Sequence, residues 1–82
     1  MIKNINDELS DYLKLIRFKH KKSQEDIAKD LNITRNTYGA WENNPISLSI
    51  ETLNKIANVM NEDIIIFFEE YVAKRNLKEK EE

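Results

Sequence analysis

The amino-acid sequence has no cysteine, one histidine, one glycine and one proline. The absence of cysteine excludes disulfides, and the lone His20 excludes the usual zinc frameworks, so we expect neither a metal nor another cofactor. Because glycine and proline mark turns, their scarcity indicates a chain that is almost entirely helical. We therefore predict an all-α fold.

Long apolar runs and catalytic patterns are lacking as well. No stretch approaches the roughly 20 apolar residues that cross a bilayer, and no charged-then-apolar leader is present. Nor is there a paired-carboxylate signal, a nucleophile with a base, or a Gly-rich phosphate loop. We expect a cytoplasmic protein that is not an enzyme and has no membrane partner. At 82 residues it forms one domain, whose small core a partner subunit would help to stabilise.

Positive charge is concentrated in one part of the chain. The formal net charge is −2, yet residues 12–35 contain seven Lys and Arg against three Asp and Glu. Affinity for phosphate depends on local rather than total charge, so this asymmetry fits a basic docking face on an acidic body. A solvated helix end is the alternative interpretation.

The most informative stretch is residues 23–43, SQEDIAKDLNITRNTYGAWEN, which predicts two short helices joined by a tight corner. Ser23 can cap the first helix by accepting a bond from the amide of Asp26, and Thr34 can cap the second. Asn32 tolerates the left-handed backbone that the corner requires. The first helix has a buried face at three-to-four spacing, formed by Ile27, Ala28 and Leu31.

The second helix of this pair is predicted to be apolar on one side and polar on the other. Its buried positions are Ile33, Tyr38 and Trp41. Its outward positions are Arg35, Asn36, Gly39, Ala40 and Asn43. A helix packed on one face, with long polar side chains at its N-terminal end, is typical of a recognition helix.

This stretch is similar to the helix-turn-helix of the lambda-repressor and Cro-like family, also called the xenobiotic-response-element (XRE) family. The Ser-Gln start, the small Ala five residues into the unit, the two-residue corner and the Trp-Glu-Asn end are all in register. The similarity continues through SIETLNKIANVMNEDIIIFF and covers about residues 9–68. It implies a five-helix DNA-binding domain in which the second and third helices form the helix-turn-helix.

The resemblance also implies roles for individual residues. Arg35 and Asn36 are expected to read bases, since Arg matches guanine and Asn matches adenine in the major groove. Arg35 could instead bind a phosphate. The Ala40 methyl could touch a thymine methyl if Gly39 allows close approach; simple drift at Gly39 is the alternative. Phosphate contacts are expected from Gln24, Thr34, Thr37, Asn43 and Lys22.

Two charged residues are expected to hold the recognition helix in place. Arg17 falls on or beside the apolar stripe of the first helix, which is predicted from Asn6 to about His20. In the family this position commonly pairs with the Glu near the end of the recognition helix, which here is Glu42. We therefore predict a partly buried Arg17–Glu42 ion pair, with two independently solvated side chains as the alternative.

The fourth and fifth helices complete the predicted domain. Ser49 can cap the fourth helix, Asn61 can end it and Asp63 can cap the fifth. The fourth helix has core spacing at Ile50, Leu53, Ile56, Ala57 and Met60. The fifth helix is apolar all round, with Ile64, Phe67 and Tyr71 expected to face the core. A second cover is then needed for Ile65, Ile66, Phe68 and Val72, and we expect a homodimer interface there, with a larger single core as the alternative.

The predicted organisation is a short arm over residues 1–5, a DNA-binding domain over 6–75 with its dimerisation helix at 63–75, and a charged tail over 76–82 that frays. The predicted function is sequence-specific binding of double-stranded DNA as a transcriptional regulator. We expect a repressor that acts as a homodimer, reads a near-palindromic operator through the major groove and needs no small-molecule ligand. A restriction-modification controller, an antitoxin, and an interaction module that has lost DNA binding are the alternatives.

Overall fold

A computed structural model describes residues 4–81 of the chain, with side chains described as far as Asn76. The described residues form five α-helices and no strand. In chain order these are α1 (Ile5–Lys19), α2 (Gln24–Asp30), α3 (Arg35–Asn43), α4 (Ile50–Asn58) and α5 (Ile64–Glu81). A turn of 3-10 helix, Pro45–Ser47, lies between α3 and α4. The predicted all-α architecture with five helices is confirmed.

Short polar side chains begin the helices at the predicted places. Ser23 accepts a bond from the amide of Asp26, whose carboxylate in turn accepts from the Ser23 amide, so α2 starts with a complete capping box. Thr34 caps α3 and Ser49 caps α4 through their hydroxyl oxygens. At α5, Asp63 Oδ1 accepts from the amide of Ile65 at 3.0 Å. These bonds satisfy amides that would otherwise lack partners at the helix starts.

Left-handed residues set the corners between helices. Asn32 has φ 59° and Asn61 has φ 56°, as the sequence predicted for both positions. Lys21 also adopts φ 56°, at the corner between α1 and α2. Asparagine tolerates this conformation better than lysine, which carries no polar group close enough to the backbone to stabilise it.

The core consists of two clusters that share α1 and α4. The first cluster lies under the helix-turn-helix and consists of Leu13, Ile16, Ile27, Ala28, Tyr38, Ile56 and Met60. The second lies under α5 and consists of Leu9, Leu53, Ala57, Ile64, Phe67 and Tyr71. Because α1 contributes to both, it connects the helix-turn-helix to α5.

Three details differ from the sequence prediction. Helix α1 begins at Ile5 rather than Asn6, because Asn4 accepts a bond from the Asp7 amide and acts as the cap. Residues 1–3 of the predicted arm lie outside the described residues. Ile50 is 58% exposed and does not belong to the core, since it occupies the first position of α4. Helix α5 continues to Glu81, past the predicted boundary at residue 76 and through most of the expected fraying tail, as suits a run of Leu, Lys and Glu.

Candidate nucleic-acid interface

Helices α2 and α3 form the predicted helix-turn-helix, and their inner faces fix their relative position. Ile27 and Ala28 of α2 and Tyr38 of α3 are buried in the same cluster. At the corner, the amide of Ile33 donates to the carbonyl of Ala28 at 2.9 Å, so the chain turns without a free backbone donor there. Trp41 and Ile33 pack against this cluster while partly exposed, as expected for the inner side of α3.

The carboxylate of Glu42 is the centre of a buried polar network at the end of α3. Glu42 is 0% exposed. Arg17 holds it with two parallel bonds, from Nε to Oε2 and from Nη2 to Oε1, each 3.0 Å long. Tyr38 donates its hydroxyl to Oε2 at 2.7 Å, and Gln24 donates Nε2–H to Oε1 at 3.1 Å. The structure thus brings together Arg17 and Glu42, and it adds α2 to the same network through Gln24.

The main chain of α3 is also hydrogen-bonded to α1, again at Glu42. The hydroxyl of Ser10 donates to the carbonyl of Glu42 at 2.6 Å, and Ser10 is itself buried. Arg17 uses its remaining terminal nitrogen, Nη1, to donate to the carbonyl of Lys22 at 3.1 Å. One residue of α3 therefore binds α1 through both its backbone and its side chain. The sequence analysis missed Ser10, whose position three residues before the stripe residue Leu13 was the available signal.

The pKa values in this network follow from burial and from the donors. Burial acts most strongly on Glu42 and raises its pKa, but the hydrogen bonds from Arg17, Tyr38 and Gln24 together outweigh it, so the pKa is lowered. Burial, followed by the hydrogen bond and charge of Glu42, raises the pKa of the Tyr38 phenol. The hydrogen bond to Glu42 raises the pKa of Arg17. The network therefore holds a carboxylate, a guanidinium and a neutral phenol at physiological pH.

The outer face of α3 carries the predicted base-reading residues. Arg35, Asn36 and Ala40 are exposed, and so is Asn43. Within the described residues, neither Arg35 nor Asn36 makes a side-chain hydrogen bond or an ion pair. Both side chains therefore extend into solvent from the first turn of α3, where their donors and acceptors have no partner within the described part of the fold.

The predicted phosphate-contacting residues lie around this face and differ in how many of their hydrogen-bonding groups are already used within the fold. Thr34 accepts from the Thr37 amide and donates its hydroxyl to Thr37 Oγ1 at 2.8 Å, which leaves the Thr37 hydroxyl hydrogen available. Gln24 uses one amide hydrogen on Glu42 and keeps the other together with its oxygen. Lys22 is half-buried and follows the left-handed Lys21.

Gly39 lies in α3 next to Gln24. A Cβ added at Gly39 would meet only Gln24 Oε1, at 3.5 Å, which is an ordinary van der Waals contact. The fold therefore does not require glycine at this position. Without a side chain at Gly39, the backbone of α3 is left bare beside Gln24.

The four residues predicted to form a dimer interface occupy two flanks of α5. Ile65, Phe68 and Val72 line one shallow surface, together with Ala73. Phe68 also packs against the core beneath and is half-buried, whereas Ile65 and Val72 are 48% and 53% exposed. Ile66, also 48% exposed, does not line that surface, since each residue turns a helix by about 100°. We name the surface formed by Ile65, Phe68 and Val72 the apolar flank of α5.

Two exposed apolar residues on α1 were not predicted. Leu15 is 65% exposed and Phe18 is 68% exposed. Their spacing of three places them on one face of α1, away from the buried stripe. The Arg17 guanidinium carbon lies 5.0 Å from the centre of the Phe18 ring, a cation–π arrangement. Counting apolar residues outside the predicted stripe would have found both.

The described residues contain no group of three or more His, Cys, Asp and Glu side chains that could hold a metal ion. Over the same part of the chain, no helix is both long and apolar enough to cross a membrane.

Comparison with known proteins identifies the family to which the chain belongs. A protein-family model described as helix-turn-helix matches residues 13–67, which include all of α2, α3 and α4. No curated protein and no solved structure gives a significant match. The matched segment contains Arg17, Glu42 and every residue predicted to contact DNA. The chain therefore belongs to the XRE-type helix-turn-helix family, the DNA-binding regulators with a lambda-repressor-like fold.

Proposed function

We propose that the protein is a sequence-specific transcriptional repressor that binds a near-palindromic operator as a homodimer in the cytoplasm. The observation that carries this proposal is the contrast between the two ends of α3. Its C-terminal end is fixed to α1 through Glu42. At its N-terminal end, Arg35 and Asn36 extend from the first turn without partners among the described residues. A rigid helix with unpaired polar groups at its N-terminal end suits the major groove.

Arg35 is the proposed reader of guanine and Asn36 the proposed reader of adenine, each through two hydrogen bonds. Ala40 lies one turn further along the exposed side of α3 and is the proposed contact to a thymine methyl. Thr34, Thr37, Asn43, Gln24 and Lys22 are the proposed phosphate contacts. Phosphate contacts fix the position of the protein on DNA, so the base contacts determine which sequence is bound.

The proposed dimer forms through the apolar flank of α5. Two copies packed there would each cover Ile65, Phe68 and Val72, which the fold leaves partly exposed to water. A two-fold axis at this flank relates the two α3 helices, and successive major grooves on one side of DNA are about 34 Å apart. The expected site therefore has two inverted half-sites about one helical turn apart.

Selection of bound duplexes from a random DNA pool at about 150 mM salt tests the DNA-binding proposal, because nonspecific phosphate binding falls steeply with salt. We expect enrichment of a two-fold-symmetric motif by the wild type and its loss in Arg35→Ala with Asn36→Ala. The matched control is Asn54→Ala with Lys55→Ala, which removes one amide and one cation from exposed positions of α4. Enrichment by the α3 double variant equal to that of the control would refute the assignment of the base-reading residues.

Neighbouring isoleucines on α5 provide a test of the dimer. Ile65 and Ile66 are both 48% exposed, but only Ile65 lies on the apolar flank. Sedimentation at micromolar concentration should therefore show a dimer for the wild type and for Ile66→Lys, and a monomer for Ile65→Lys. A wild-type monomer, or equal loss of the dimer in both variants, would contradict the proposed interface.

An interaction module that has lost DNA binding is the competing function. It would show no enriched motif while still using exposed apolar surfaces for partners. A controller protein or an antitoxin would bind DNA in the same way. The selection experiment therefore distinguishes DNA-binding regulators as a group from the interaction module.

A further inference from the structure

A cleft between α1 and α5 lies on the opposite side of α5 from the apolar flank. It has a volume of about 190 Å³. The two helices run antiparallel here, since Lys74 faces Glu8 at one end and Glu62 faces His20 at the other. The cleft is smaller than the roughly 300–1,000 Å³ that small-molecule pockets occupy, and is of a size to accept a single large side chain.

The cleft is lined by aromatic and aliphatic groups. Phe67 lies between two tyrosines, with its ring centre 5.1 Å from that of Tyr12 and 6.1 Å from that of Tyr71. Phe67 and Tyr71 belong to the buried core beneath, and Tyr12 packs against that core, so the surface that the rings form is held in place. Leu15 projects from α1 beside them and is 65% exposed, although it lines the cleft. An exposed leucine next to packed aromatic rings is the kind of surface that a partner's apolar side chain covers.

The charges around the cleft are predominantly negative. Glu8, Asp11 and Glu70 line it together with one cation, Lys74, whose Nζ lies 3.7 Å from Glu8 Oε2. The electrostatics of Tyr12 agree, because burial and then the charges of Glu62, Glu70 and Asp63 raise the pKa of its phenol. A negative field repels DNA and attracts cationic groups.

The position of the cleft on α5 separates it from the proposed dimer interface. With about 100° of rotation per residue, Glu70 lies about 140° from Ile65 around the helix axis. Ile66 lies about 40° from Glu70 and therefore extends the cleft side of α5 rather than the apolar flank. A dimer formed through Ile65, Phe68 and Val72 thus leaves the cleft open in both copies.

We propose that this cleft binds a basic amphipathic helix of another protein, which inserts one large apolar side chain between Leu15 and the aromatic rings. Lysine or arginine side chains one turn before and after the apolar residue then face Glu8, Asp11 and Glu70. The apolar side chain provides affinity, and the charge complementarity provides orientation and selects against acidic partners. The protein would then hold DNA on α3 and a protein partner on the α1–α5 side at the same time.

A synthetic helical peptide tests the proposal with the full-length protein. The probe is an alanine-based helix of about 18 residues, long enough to be helical, with one leucine flanked by lysines three and four positions away. Titration into ¹⁵N-labelled protein should shift the amides of Tyr12, Leu15 and Glu70, with a dissociation constant on the order of 0.1 mM. The amides of α3 should remain unchanged.

Variants of both partners make the test specific. Leu15→Ala should raise the dissociation constant of the peptide about tenfold, and Glu70→Lys should raise it about fivefold. The control Glu51→Lys on α4 should leave the dissociation constant unchanged. Replacing the leucine of the peptide by alanine should abolish binding, and replacing its lysines by glutamates should do the same. Melting curves of the protein variants confirm that each is folded, because Leu15, Glu70 and Glu51 are exposed.

Four outcomes would overturn the proposal. They are no amide shift at millimolar peptide, equal binding of the alanine-substituted peptide, equal affinity of Glu70→Lys and wild type, and loss of a wild-type dimer in Leu15→Ala. The last would show that a second copy of this chain covers the cleft. DNA selection by the same variants is a separate measurement. A negative result for peptide binding at the cleft would therefore leave the proposed DNA binding untouched.

Discussion

Replacing Arg17 by methionine should strongly destabilise the fold, because Arg17 supplies two of the hydrogen bonds to a fully buried carboxylate. The side chain of Arg17 is 11% exposed and that of Glu42 is 0% exposed, so water cannot take the place of the guanidinium. Removing one member of a buried pair typically costs about 3–5 kcal/mol. Tyr38 and Gln24 remain as neutral donors and place the expected loss near 3 kcal/mol, the lower end of that range.

Thermal and urea unfolding measure this loss. For a domain of this size a change of 1 kcal/mol shifts Tm by roughly 4–8 °C, so Arg17→Met should melt at least about 12 °C below the wild type. Glu42→Leu strands the guanidinium instead, with solvent nearer to it, and should also destabilise. The double variant buries no charge. Its loss in free energy of unfolding should therefore be smaller than the sum of the two single losses by at least about 1 kcal/mol, within the range found for residues in contact.

The pH dependence of the same comparison follows from the pKa of Glu42. A carboxyl group whose pKa is lowered on folding stabilises the fold above its unfolded pKa, and this contribution is lost as pH falls through the folded pKa. In Arg17→Met the carboxyl group of Glu42 stays buried but has lost its two hydrogen bonds from Arg17, so its pKa should rise. The stability gap between wild type and variant should therefore be largest at neutral pH. It should narrow as pH falls, first through the raised pKa of Glu42 in the variant and last through its lowered pKa in the wild type. Additive single effects with a pH-independent gap would refute the buried-pair reasoning.

Two further substitutions test single backbone positions. Gly39→Ala should raise the free energy of unfolding by about 1 kcal/mol, because the new methyl meets only Gln24 Oε1 at 3.5 Å. The same variant should bind the operator more weakly if DNA approaches the bare backbone there. Unchanged affinity in a gel-shift titration would refute the close-approach hypothesis. Asn32 has φ 59°, so Asn32→Ala should lower the free energy of unfolding by roughly 1–2 kcal/mol, the cost of a left-handed residue, whereas Asn32→Gly should be close to neutral. Equal Tm values for the two variants would contradict the strain argument.

Local chemistry explains why much of the fold could be predicted from the sequence. Ser23, Thr34 and Ser49 cap their own helices, and Asn32 turns the chain by itself, so each signal depends on neighbouring residues only. The register of the helix-turn-helix then follows from the spacing of the buried residues. The predicted meeting of Arg17 and Glu42, which lie far apart in the chain, came from the family resemblance rather than from local pattern.

The features that sequence analysis missed depend on contacts between helices. Nothing local shows that Gln24 donates to Glu42, or that Ser10 reaches the α3 backbone, because both bonds join residues on different helices. Ile50 has the spacing of a core residue, yet its place at the start of α4 leaves it exposed. Leu15 and Phe18 show the opposite error, since hydrophobic side chains outside a stripe can only be located once the neighbouring helix is in place.

The double attachment of Glu42 has a consequence for how binding preference could change over time. Ser10 and Arg17 fasten α3 from behind, so the orientation of the helix does not depend on Arg35, Asn36 or Ala40. Under the proposed assignment of base contacts, substitutions at these outer positions would alter which DNA sequence is recognised and leave folding nearly unchanged. On that assignment, a few surface substitutions would be enough to change the operator without an intermediate that fails to fold. A designer could transfer the outer face of another recognition helix onto this fold for the same reason.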